Sequence, residues 1–374
     1  MNHITPIIHT TDKCNMACRY CYAGSAWGTF DIKKINKSFS SKIPVLLKFI
    51  DQVVSYNGYI PTTFFFHGGE PLLINLKNWK HILSYFREKN YPAEIHIQTN
   101  GTLINENFID LFKEFNVKIG VSLDGPASLN DQTRVFKDGR GSFSTIYQNL
   151  QKMKNAGLKF GCLVTLNKTN IEHVGEIYTF FKENNIPFNV RTIFESRYSV
   201  PKELLISPRA YATAVCKLFD LWFYDDQTKA FLINDFANIV ARFIEPIEGL
   251  ATCTFIKNCS KYFISFDLDG NLWHCARLRG DTDFLYGNIL KDDLAVILDN
   301  PKRKQLLSRW EKLSKTSCKD CEVSQYCFGG CPGRAYRYYG DYFEKDYFCE
   351  AFKIVLKHAY EKIKSSLKLK NEKD

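Results

Sequence analysis

The chain has 374 residues, 45% hydrophobic and 24% charged, which is enough to bury a core in one large or two coupled domains and excludes a disordered or collagen-like protein. Its 50 Lys and Arg against 40 Asp and Glu give +10, but the basic residues thicken only from Lys353 to Lys373, where Glu361 and Glu372 interrupt them; this reads as a solvated helix face, not a nucleic-acid surface. No run of about 18 apolar residues and no signal-peptide pattern from Met1 to Thr11 is present, so a cytoplasmic protein that binds neither membrane nor nucleic acid is expected.

From residue 4 to 194, short β-rich runs alternate with segments of helical period, the α/β pattern of repeated βα units around a parallel sheet. Strands are predicted at Pro6–Thr10, Thr62–His67, Glu94–Gln98, Lys118–Leu123, Lys159–Thr165 and Phe188–Ile193. Between them, Leu46, Leu47, Ile50 and Val54 put an apolar face on a helix over Ile43–Ser55, and Trp79–Phe86 and Ile171–Phe181 behave alike. Six such units are too few to close an eight-stranded barrel, so an open, partial (β/α)6 TIM-like barrel is expected. Ser207–Phe243 reads as helical, with Pro208 near its start and Phe219, Trp222 and Phe223 on an aromatic face. Past Cys253 the chain turns to short β-like runs, turn signals such as Asp269-Gly270-Asn271 and dense cysteines. This predicts a small second domain held partly by metal, followed by a helix from about Ala351.

The chemically suggestive motifs fall at predicted strand ends: the first cysteines, His67-Gly68-Gly69-Glu70, Gln98-Thr99-Asn100-Gly101 and Ser122-Leu123-Asp124-Gly125-Pro126. That edge is where parallel α/β folds bind ligands. Of the 13 cysteines, three lie at the front, eight lie from Cys253 onward, and Cys162 and Cys216 stand alone. In a reducing compartment such clusters are metal ligands or redox groups rather than disulfides.

Cys14-x3-Cys18-x2-Cys21 puts three thiols on the loop after the first strand, able to hold three irons of a [4Fe-4S] cubane and leave the fourth open to an exchangeable ligand. A zinc knuckle completed by His3 or His9 is the competing reading, although zinc sites usually show paired C-x2-C arms. With Tyr20 before its last cysteine, the run resembles the signature of radical S-adenosylmethionine (SAM) enzymes. Gly68-Gly69-Glu70-Pro71 resembles their motif for the SAM amino group, in which glycines allow close backbone approach and a carboxylate pairs with an ammonium. The resemblance covers roughly residues 1 to 195. It implies that SAM chelates the open iron and that one electron cleaves its sulfonium bond to give a 5'-deoxyadenosyl radical. It also makes Ser122 and Arg134 candidates for the methionyl carboxylate and Asn100 a candidate for ordering the nucleoside. Read as plain structural residues, these three are a loop cap, a surface cation and a turn residue before Gly101.

Cys259-x10-Gly270-x4-Cys275, then Cys318-x2-Cys321-x5-Cys327-x3-Cys331, then Cys349, resembles the seven-cysteine signature of the SPASM extension of peptide-modifying radical SAM enzymes, and Cys253 adds an eighth thiol. Eight thiolates suffice for two four-ligand cubanes, making three [4Fe-4S] clusters in all. The resemblance assigns Cys253, Cys259, Cys275 and Cys331 to one and Cys318, Cys321, Cys327 and Cys349 to the other. A zinc ribbon on Cys318, Cys321, Cys327 and Cys331 is the alternative, and it would strand four thiols. The expected domains are a radical SAM core at 1–206, a helical bridge at 207–252, a SPASM domain at 253–349 and a C-terminal helix at 350–374. Cys162 and Cys216 read as buried structural thiols; Cys162 could instead donate a hydrogen atom if it faced the barrel interior.

Four-ligand clusters have no open iron, so they are expected to move electrons or shape the cleft, which favours a net two-electron oxidation of a peptide side chain to a crosslink or an aldehyde. The layout resembles anaerobic sulfatase-maturing enzymes, which make formylglycine. Those carry a catalytic aspartate after the cysteine matching Cys275, where this chain has Ala276, which cannot take a proton. Maturation of a ribosomally made peptide is therefore expected, in keeping with the maturase-like Cys331-Pro332-Gly333-Arg334-Ala335-Tyr336. Sulfatase maturation, a structural zinc protein and a SPASM enzyme acting on a small molecule are the alternatives. With the first strand so near Met1, substrate recognition is expected from the cleft or from a separate leader-recognition protein, and reduction from a flavodoxin or ferredoxin. No catalytic base is assigned, because Glu195, Asp281 and Asp283 read as solvated carboxylates.

Overall fold

The computed structural model describes residues 3–24, 29–195, 198, 200–225, 233–244 and 253–371. Six parallel strands stand side by side in chain order: β1 (Thr5–His9), β2 (Thr62–His67), β3 (Ala93–Thr99), β4 (Lys118–Ser122), β5 (Phe160–Leu166) and β6 (Phe188–Thr192). Helices link them, giving the partial (β/α)6 barrel expected. Period-2 burial explains the strands. In β2, Phe64 and Phe66 are fully buried against the helical layer, where Trp79 meets Phe66 edge-on at 5.1 Å, while Phe65 lies on the other face.

The helix after β1 spans Ile32–Tyr56, longer than predicted at its N-terminal end. Asp31 caps it by accepting from Lys33 N at 2.8 Å, and Asn36, Phe39 and Ile43 extend the buried stripe through an interior Pro44. Ser207–Phe243 resolves into helices Pro208–Phe223 and Asn234–Ile244, with residues 226–232 outside the described residues.

The cysteine-rich segment expected as a small second domain shares the sheet of the barrel. Its strands β7 (Phe263–Asp267), β8 (Asn271–Trp273) and β9 (Leu285–Asn288) continue the first sheet, giving the order β6-β5-β4-β3-β2-β1-β7-β8-β9 among the described residues. β7 lies parallel to β1 with Thr5 opposite Phe263 and His9 opposite Asp267. Phe49 stacks on Phe266 at 4.0 Å across that seam, and Phe266, Leu272, Leu278, Phe284 and Ile289 belong to the same core as the barrel. Sheet continuity supplies the apolar partners that the short cysteine-rich segments lack. In the helix Cys349–Asn371, Phe352, Val355, Leu356 and Ile363 are buried and Lys357 is exposed, as a solvated basic face requires. No helix among the described residues is long and apolar enough to cross a membrane.

Candidate active site

The loop leaving β1 carries Cys14, Cys18 and Cys21 and is pinned from two sides. Gly69 N and Glu70 N donate to the carbonyls of Thr11 (2.7 Å) and Lys13 (2.8 Å), and Ala17 N and Arg19 N donate to those of Val135 (2.8 Å) and Thr133 (2.9 Å). A Cβ on Gly69 would stand 2.1 Å from Lys13 O, and one on Gly68, at φ +142°, 2.5 Å from Thr11 O. The close approach that these glycines permit is therefore to the cysteine loop.

All three thiols line one cavity of about 160 Å³, together with Tyr20, Gly68, Gly69, Asn100, Ser122 and Arg134. Glu70 does not line it. Its carboxylate is fully buried and accepts from Leu72 N (2.8 Å), Thr99 Oγ1 (2.7 Å) and Asn100 N (2.7 Å), tying the β2 loop to the end of β3. The carboxylate expected to meet an ammonium is engaged here as an internal brace. Burial raises its pKa against the pull of these donors. Asn100 donates through Nδ2 to Asn15 Oδ1 (2.8 Å) and lies 3.6 Å from Cys14 Sγ, and Ser122 Oγ accepts from Gln98 Nε2 at 3.0 Å.

Arg134 is a buried cation, not a surface one. Its Nη1 donates to the Tyr20 hydroxyl at 2.7 Å, and that hydroxyl donates to Asp124, whose other oxygen accepts from Thr165 N at 2.8 Å. The Nε of Arg134 has no partner among the described residues. Asp124, flagged in sequence only as part of a loop motif, is thus the buried counter-charge of the site. Tyr22, Arg191, Phe194 and Arg277 also line the cavity and had no sequence signal of their own, whereas His67, which lines it too, was noted in sequence as part of the motif ahead of Gly68-Gly69-Glu70. His67 Nδ1 accepts from Gly68 N at 2.7 Å, and burial takes its pKa down to about 4. Among the described residues no Asp or Glu lines the cavity, whereas Arg134, Arg191 and Arg277 do. Arg191 is paired with Asp235, and Arg277 lies over the Phe194 ring at 5.2 Å. Asp281 and Asp283 sit elsewhere, bound by Arg337 (3.0 Å) and the Tyr336 hydroxyl (2.6 Å); Glu195 also stays outside. His3 and His9, the knuckle candidates, do not line the cavity either. On β5, Leu163 and Thr165 face the cavity, so Cys162 points into the core and not into the barrel interior. Cys216 is half-buried on the helix Pro208–Phe223.

The later cysteines influence one another's ionisation in two sets. Burial raises Cys259, and the thiols of Cys331, Cys253 and Cys275 raise it further. Burial likewise pushes Cys327 up to about 12, with Cys349, Cys318 and Cys321 adding to it. Cys331 thus leaves its sequence neighbour Cys327, which is not the grouping of a ribbon on Cys318, Cys321, Cys327 and Cys331. The reason is local: Phe328, Gly329 and Gly330 are all left-handed, at φ 50°, 76° and 70°. Arg309 donates to the carbonyls of Gly329 (2.9 Å) and Gly330 (3.0 Å), fixing the turn. Asp346 then receives Cys331 N at 2.7 Å and pairs with buried Arg334 at 2.6 Å.

These residues fit the groups that the motifs imply. Three thiols around one cavity are the donor set of a cubane with an open iron, and Arg134 offers a cation to a carboxylate. No group of three or more His, Cys, Asp or Glu among the described residues is spaced to hold a single ion, whereas a cubane gives each thiolate its own iron.

Residues 8–181 match the family model described as the radical SAM superfamily, so the partial barrel is a radical SAM domain. That family implies a [4Fe-4S] cluster and SAM. Beyond that domain, the C-terminal cysteine-rich unit lies within the fold shared with solved structures. The solved structure of anSMEcpe with bound AdoMet and Cp18Cys peptide shares the fold at a TM-score of 0.81, with 22% identity and 99% of each chain covered. Streptococcus suis SuiB bound to precursor peptide SuiA does so at 0.66, with 17% identity over 94% of this chain and 76% of that one. In sequence, the chain is 26% identical to a serine-type anaerobic sulfatase-maturating enzyme of Bacteroides thetaiotaomicron, covering 85% of this chain and 80% of the relative. It is 27% identical to a cysteine-type anaerobic sulfatase-maturating enzyme of Clostridium novyi, covering 92% and 91%.

Proposed function

We propose that the protein oxidises a side chain of a ribosomally made peptide, using SAM at the Cys14, Cys18 and Cys21 site and two further [4Fe-4S] clusters on the two cysteine quartets. When bound, cluster and SAM supply a 5'-deoxyadenosyl radical that can take hydrogen from an unactivated C–H bond. Arg134 pairs with the methionyl carboxylate and is held for it by Tyr20 and Asp124, with Ser122 beside it. Since Glu70 is engaged elsewhere, the SAM ammonium falls to the backbone of Gly68 and Gly69, and Asn100 orders the nucleoside side. A reducing compartment suits these thiolates, which supports a cytoplasmic location and a flavodoxin or ferredoxin donor. The peptide's leader is read by the cleft or by a separate recognition protein.

The observation that carries the choice of reaction is the cavity's lack of any lining carboxylate among the described residues, together with Ala276. Formylglycine formation on a sulfatase is the second reading, favoured by relatives of that name that match most of the chain. Anaerobically reconstituted protein, given SAM and reductant, is tested on two peptides: a precursor encoded beside its gene, and a cysteine- or serine-bearing sulfatase segment. The expected result is 5'-deoxyadenosine with a crosslinked or otherwise oxidised precursor and no hydrazide-reactive aldehyde on the sulfatase peptide. Such an aldehyde would establish the second reading. Iron near 12 per chain is expected for three cubanes, and colourless protein with stoichiometric zinc would end both readings.

A further inference from the structure

The quartet of Cys253, Cys259, Cys275 and Cys331 is accompanied by a buried histidine for which the proposed reaction has no use. His274 follows β8, is 2% exposed, and is fixed by its N donating to Phe284 O at 2.9 Å. Its Nε2 lies 3.9 Å from Cys259 Sγ; its Nδ1 lies 3.0 Å from the Tyr286 hydroxyl and 3.3 Å from Ser260 Oγ. Tyr286 and Ser260 are buried as well. A neutral imidazole donates through one nitrogen and accepts through the other. Hydroxyls can donate, whereas a metal-bound thiolate only accepts. The arrangement that satisfies every group has a hydroxyl donating to Nδ1 and the Nε2 N–H donating to the sulfur. Among the described residues no side-chain hydrogen bond reaches the sulfurs of Cys318, Cys321, Cys327 or Cys349, so the two quartets differ in this respect.

We infer that His274 is a positioning residue that raises the reduction potential of the iron–sulfur group on its quartet by hydrogen-bonding Cys259, with Tyr286 holding its tautomer. The inference rests on the proposal that Cys259 is a cluster ligand. A donor to a ligating sulfur offsets negative charge, and the reduced state carries more of it. Burial strengthens that interaction because no water competes for the sulfur.

The test is an EPR-monitored redox titration of the full-length, iron-loaded protein and its His274→Leu, His274→Gln and Tyr286→Phe variants, with iron counted in each. In His274→Leu, the reduced-to-oxidised ratio of one auxiliary signal at fixed ambient potential is expected to fall about tenfold, a shift of about 59 mV for one electron. His274→Gln, which keeps a donor, restores most of it, and Tyr286→Phe gives a smaller fall in the same signal. The signal that responds to SAM stays put. Labelling with 15N-histidine is expected to alter the nitrogen hyperfine coupling of that auxiliary signal in wild type and not in His274→Leu. If His274→Leu fails to hold its iron, the Tyr286→Phe shift and the wild-type coupling decide. Unchanged potentials and no histidine coupling at full iron content would overturn the inference alone. Wild type holding only about four irons would overturn the auxiliary-cluster reading and the inference with it.

Discussion

Three donors converge on the Glu70 carboxylate from Leu72, Thr99 and Asn100, all within one buried junction. Glu70→Gln replaces one acceptor oxygen with a donor and leaves a buried N–H or hydroxyl unpaired, a change that costs about 1–3 kcal/mol. A lowered urea midpoint in protein never exposed to SAM is the expected outcome, and an unchanged midpoint would contradict the bracing role. The thiols give a second prediction. Burial pushes Cys14 up to about 12, with Glu70 adding to it, and pushes Cys18 up to about 11 against the pull of Arg134, from an ordinary 9.0. In metal-free, reduced protein the unfolded chain loses these protons near pH 9 while the folded chain keeps them. Their contribution to stability is therefore complete below pH 9 and disappears as pH rises towards 11 and 12. Denaturation midpoints of metal-free protein should drop between pH 8 and 10.5, less so in Cys14→Ser/Cys18→Ser. Iron-loaded protein, whose thiolates are already deprotonated, should show a smaller drop. The motifs exposed which residues gather at the site, but not that Glu70 turns inward or that Asp124 answers Arg134. Both follow from which way a side chain points off a loop, which spacing does not encode.

The turn from Cys327 to Asp346 is the element that orders the cysteine-rich unit. Arg334 and Asp346 form a pair with side chains 5% and 0% exposed, and the Asp346 carboxylate also receives Cys331 N and Phe348 N. Removing one partner strands the other charge, at a cost of about 3–5 kcal/mol. Asp346→Ala is expected to lower the melting temperature markedly and to reduce iron bound at both proposed clusters, because its carboxylate holds Cys331 N on one side and Phe348 N, next to Cys349, on the other. Loss at one quartet only would argue against a shared brace. At this scale the strands were readable, since β-rich runs bounded by turn residues placed all six barrel strands within a residue or so. The start of the helix Ile32–Tyr56 was not, because its lysine-rich first turn hides the stripe and Pro44 looks like a beginning when it is interior. The assignment of the later thiols to two sets came from resemblance; Gly329-Gly330 signals a turn, but the left-handed Phe328 before it leaves no composition signal.

Across the whole molecule, the seam between β1 and β7 joins Thr5–His9 to Phe263–Asp267, and no local pattern announces it. The short β7 run FISFD was visible as β-like but not as the seventh parallel neighbour of the barrel. A fragment ending at residue 206 would present the β1 edge unpaired and leave Phe49 without Phe266. Aggregation of that fragment in size-exclusion chromatography is expected, against a discrete peak for the intact chain. A monomeric, folded fragment would show the two units to be independent.

The left-handed bend at Phe328–Gly330 has a bearing on metal selection as well. Two thiols four positions apart in a chain are ready-made pincers for a single zinc ion. If Cys327 and Cys331 ligate different clusters, as proposed, the bend that turns them to separate partners also keeps the two thiols from closing together on one such ion.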